Sequence, residues 1–82
     1  MISHQALTEA AERILAYCHE IGHSMGQVVV APMPENKYII QIVTRGGVDY
    51  GEEIVEIGCL AEILKRGRLK AEMMMAAKST KH

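Results

Sequence analysis

The chain has no tryptophan and no phenylalanine, and its only aromatic residues are three tyrosines. A core built on stacked rings is thereby excluded. Ile, Leu, Val, Ala and six Met must fill it, and methionine adapts to irregular gaps but specifies a packing less sharply than a ring does. Surplus charge is missing too: nine basic and ten acidic side chains give a formal net charge of −1. No global field pulls the chain toward nucleic acid or anionic membrane, so any such binding would have to be local. Only two cysteines are present, Cys18 and Cys59, and they form no CxxC pair. That excludes a disulfide framework and favours reduced thiols in a cytoplasmic protein. No run approaches the ~18 consecutive apolar residues that span a bilayer, and residues 1–11 lack the basic flank and apolar stretch of a secretory signal. No membrane partner is expected.

What is there is 82 residues, expected to form a single domain over 1–82 with 79–82 fraying at the end. A domain of this size buries only about 60–65% of the surface that its unfolded chain exposes. A homodimer that completes the core is the expected remedy.

Ser3 has the character of a helix N-cap, and Leu7, Ala11, Ile14, Cys18, Ile21 and Met25 then recur at steps of three and four. This spacing predicts an amphipathic helix near 3–24, stopped by Gly26. "QVVVAPMP" and "YIIQIVT" predict two antiparallel strands, near 27–32 and 37–44, joined tightly through "ENK". The second strand is apolar on both faces except at Gln41, which predicts a central strand covered on each side.

After the "RGG" turn at 45–47, a short third strand at 48–50 is a candidate. Asp49 and Glu52 have capping-box spacing, so a long C-terminal helix is expected from about there. Ile54, Ile57, Ala61, Leu64, Ala71 and Met75 mark one stripe of it, and Val55, Cys59 and Ile63 another. A helix apolar on two sides is buried on two sides. Val55, Cys59, Ile63 and Met73 are accordingly the expected dimer interface. Gly67, preceded by Lys65 and Arg66, reads as a stop or bend. The fold class is thus α+β: helix, antiparallel hairpin with a candidate third strand, and a helix broken near Gly67.

One stretch spells chemistry: "HEIGHSMG", residues 19–26. In a helix, residues four apart share a face, so His19 and His23 would present their rings to one Zn²⁺ with Glu20 beside them. The stretch resembles the active-site helix of the zincin metalloproteases, in particular the metzincin pattern HExxHxxGxxH. The resemblance implies His19 and His23 as ligands, Glu20 as general base, Gly26 as the turn that redirects the chain, and a third ligand at position 29. Val29 stands there. A gluzincin-like arrangement would instead take its third ligand from Glu52, Glu53 or Glu56. With a valine at position 29, the reading adopted is that His19, Glu20 and His23 form the solvent face of a helix, with no cofactor; zinc is the alternative.

"KRGRLK", residues 65–70, places four cations in six residues and is a candidate for phosphate contact. No aromatic platform accompanies it, and a solvated helix end is the reading adopted. A helix–strand–strand–strand–helix order also resembles a double-stranded-RNA-binding domain. Such domains are expected to use cations at the start of the last helix, where Glu52 and Glu53 are expected here, so the resemblance is set aside.

The expected function is non-catalytic: a small homodimer of accessory or inhibitor type, such as phages and mobile elements encode, that binds another protein. Arg45, Asp49, Tyr50, Arg66 and Arg68 are the expected partner-binding residues.

Overall fold

A computed structural model describes residues 2–22, 25–44 and 49–79. Helix α1 spans His4–Glu20, strand β1 Met25–Met33, β2 Lys37–Thr44, β3 Asp49–Val55, and helix α2 Leu60–Ser79. One 3-10 turn, Pro34–Asn36, joins β1 to β2. The class is α+β, with a third strand in full.

Ser3 starts α1 as expected: its hydroxyl accepts from the Ala6 amide at 3.1 Å, satisfying one of the four amides that a helix N-terminus leaves unpaired. Ser3→Ala should lower stability by about 1 kcal/mol, read by urea denaturation; an unchanged midpoint would mean that this cap is not used. The buried stripe is Leu7, Ala10, Ile14 and Cys18. The helix stops earlier than its periodicity suggests. Gly22, not Gly26, makes the left-handed exit at φ +86, donating its amide to the His19 carbonyl at 3.1 Å. Gly26 is already part of β1.

The three strands form an antiparallel meander in the order β1-β2-β3. β2 is central, as its composition requires. The C-terminal helix begins at Leu60, so the capping-box reading of Asp49 and Glu52 is corrected. Those residues belong to β3, where Glu52 pairs with Gln41, Ile54 with Ile39 and Val55 with Tyr38. The physical reason lies in β2, whose second edge needs a ladder partner. Ile54 and Val55 are strand residues and Ile57 and Cys59 precede α2, so no helix apolar on two sides runs over 54–63.

α2 runs unbroken through Gly67. Its buried line is Ile63, Gly67, Ala71 and Met74, which leaves Arg68 exposed beside the line and not inside it. Gly67 is there because α1 crosses closely: a Cβ at 67 would stand 2.3 Å from Ile14 Cδ1 and 2.6 Å from its Cγ1. The glycine marks a helix crossing, not a helix end.

Both helices pack on one face of the sheet. Val28 and Val30 of β1, Tyr38, Ile40 and Ile42 of β2, and Val55 of β3 point into that layer, where they meet the helices' buried lines. The Tyr38 ring is buried and its hydroxyl accepts from the Ile2 amide at 3.3 Å, tying the N-terminus to the central strand. Among the described residues, no helix is long and apolar enough to cross a membrane.

Candidate functional site

Because strand side chains alternate, residues pointing away from the helices form rows across the sheet. The registers define them: Val29–Gln41–Glu52, then Ala31–Ile39–Ile54, then Met33–Lys37, with Gln27–Val43–Asp49 at the other end. Six of these side chains are apolar: Val29, Ala31, Met33, Ile39, Val43 and Ile54. Ile54 is 38% exposed and the other five are half-buried. An antiparallel sheet that faces water usually alternates apolar-in with polar-out. This one does so poorly. The apolar character of β2 on both sides was legible in the sequence, but within one chain only one side receives a cover.

Polar groups punctuate the open face. Gln41 Nε2 donates to Glu52 Oε1 at 3.3 Å across the strands. Lys37 has no ion-pair partner among the described residues. At the β3 edge, Ile54 continues into a groove of about 390 Å³ that is also lined by Glu56, Ile57, Glu62 and Arg66.

The expected partner-binding residues do not come together. Arg45 lies outside the described residues, and Asp49 and Tyr50 open β3. Arg66 is held by two carboxylates, Nε to Glu62 Oε2 at 3.0 Å and Nη1 to Glu53 Oε1 at 3.5 Å. Arg68 lies on another side of α2. With Arg13, Ala16, Tyr17 and Glu20 it lines a cleft of about 480 Å³ between the helices. Tyr17 donates its hydroxyl proton to Glu72 there, and this hydrogen bond raises the tyrosine's pKa, because ionising it would place two anions together. At 100° per residue, Lys65, Arg66, Arg68 and Lys70 spread around α2 and do not form one basic face.

The expected interface residues also divide. Val55 and Ile63 are 0% exposed within a single chain and belong to its core, whereas Cys59 is exposed and Met73 is 71% exposed. Both cysteines are free thiols, and burial pushes that of Cys18 up, away from the reactive thiolate.

The zinc alternative needs His19 and His23 on one helix face. α1 ends at Glu20, and Gly22 turns the chain before position 23, which lies outside the described residues. His19 and Glu20 are exposed at the helix end. Glu52 and Glu53 are engaged by Gln41 and Arg66. Among the described residues, no three His, Cys, Asp or Glu side chains cluster to hold a metal ion.

No family model matches the chain, and neither a curated protein nor a solved structure does.

Proposed function

We propose that this chain is a non-catalytic binding protein that works as a homodimer through the open face of its sheet, leaving the helical side for another protein. The observation that carries the reading is the row of apolar side chains, Ala31, Ile39 and Ile54, at the centre of a sheet face that neither described helix covers. Fully burying a Val or Ile side chain contributes about 1.5–3 kcal/mol, and several half-buried ones on one face give association a driving force. A second copy is the occupant because, among the side chains described on this face, Lys37 is the cation and Glu52 the anion, and a two-fold axis can set each against the other. On the helical side, Arg13 and Arg68 flank the cleft without ion-pair partners among the described residues, which suits a carboxylate-bearing segment of the partner protein.

The test is sedimentation velocity from low micromolar to millimolar chain. The wild type should pass from monomer to dimer, and Ile39→Glu should remain a folded monomer, since it places a charge where the two faces meet. A wild type that stays monomeric across the range would sink the reading. A second reading, binding to double-stranded RNA, is favoured by the helix–three strands–helix order. Glu52 and Glu53 lie in β3 and not at the start of the last helix, which begins at Leu60, although the cations of that helix do not share a face. Steep salt dependence of duplex binding would support it.

A further inference from the structure

We infer that two copies meet face to face about a two-fold axis that lies along the row Ala31–Ile39–Ile54, perpendicular to the strands, so that β2 of one copy runs antiparallel to β2 of the other. The inference rests on the reading of the open face as a dimer surface and deepens it by fixing the orientation.

The registers supply the argument. Two sheets packed face to face are related by an axis lying between them, and the strands stay within about 30° of alignment. An axis running along β2 would set the copies parallel there, placing Lys37 over Lys37 and Gln41 over Gln41. An axis along the middle row exchanges the two flanking rows. Met33 then lies over Val29, and Lys37 over Gln41 and beside Glu52. The middle row, which is entirely apolar, packs on its own copy.

In the second arrangement the ammonium of Lys37, which has no ion-pair partner among the described residues, gains a carboxylate twice, once on each side of the axis. Glu52 is already oriented by the amide of Gln41, so one of its oxygens is committed within the chain and the other remains to accept. Two Glu52 side chains sit at opposite ends and do not oppose each other. Like charges brought together cost affinity, while complementary ones fix register.

The area bears on strength. Three strands about 4.8 Å apart and roughly seven residues long present a face on the order of 300 Å². A standard interface buries about 800 Å² per partner. The dimer is therefore a reversible, concentration-dependent one, and each chain keeps its own closed core when alone.

Charge reversal tests the orientation. Lys37→Glu and Glu52→Lys are prepared singly and together, their folding is checked by circular dichroism, and dimer dissociation is measured by sedimentation equilibrium. Each single reversal should weaken the dimer by about tenfold, and the double reversal should return it to within about threefold of wild type, because the pair is re-formed with its signs exchanged. A dimer abolished by Ile39→Glu but indifferent to both reversals, or one weakened further in the double variant, overturns the axis and leaves the face as the interface. A chain that is monomeric at every concentration overturns the dimer as well, and gives the face to a different protein.

Discussion

Gly67→Ala should destabilise the chain by about 1–2 kcal/mol in urea denaturation, although in most helices the same change stabilises. Two effects of known size compete. Replacing a helix-interior glycine by alanine is worth about 1 kcal/mol in propensity. Overpacking a tight core costs about 1–3 kcal/mol, and here the added methyl would lie within 2.6 Å of two carbons of Ile14, itself buried with nowhere to go. Packing wins. The clash also predicts a rescue: in the background of Ile14→Ala, the methyl at 67 enters space that the isoleucine has vacated, and the pair should show a favourable coupling of about 1 kcal/mol. A stabilised Gly67→Ala would mean that α1 and α2 do not cross at this point.

Ile63→Asp should leave no folded protein at all. The side chain is 0% exposed inside one chain, so the carboxylate would be shut away from water. Burying an unpaired charge costs several kcal/mol or forces the group to neutralise, and a small domain's whole stability is about 5–15 kcal/mol. Loss of the far-ultraviolet helical signal at micromolar concentration is the expected readout. A folded monomer would instead place Ile63 at an interface, as the sequence-based reading has it. The contrast with Ile39→Glu is the informative one, since that charge enters a face open to solvent and should cost association without costing the fold.

The sequence made some of this legible. Ser3 and the spacing of Leu7, Ile14 and Cys18 announce α1, and the β-branched runs around "PENK" announce the hairpin with β2 at the centre. The helix end was ambiguous because two glycines follow it four residues apart, and pairing of β1 as far back as Met25 selects Gly22. β3 was the larger loss. "DYGEEIV" has the Asp-x-x-Glu spacing of a helix start, and Val55 with Ile54 and Ile57 mimics helical periodicity, so local pattern favours the wrong element. Long-range pairing with β2 decides it, and such pairing overrides local propensity. A helix phase set from Ile54 and Ile57 also makes Val55 and Ile63 read as interface residues, whereas both are 0% exposed in the core of one chain. The candidate site was half legible: "YIIQIVT" shows two apolar faces, but nothing local says which of them the helices cover.

The layering has a consequence for what can be attached to this protein. α1 begins at His4 and α2 ends at Ser79, so the start of the first helix and the end of the last both belong to the helical layer, on the side away from the open sheet face. Two copies joined through their sheets would form four layers with the helices outermost. Cargo joined ahead of α1 or beyond α2 would then be displayed outward in both directions, and the pair would act as a bivalent connector that brings two loads to opposite sides of one core.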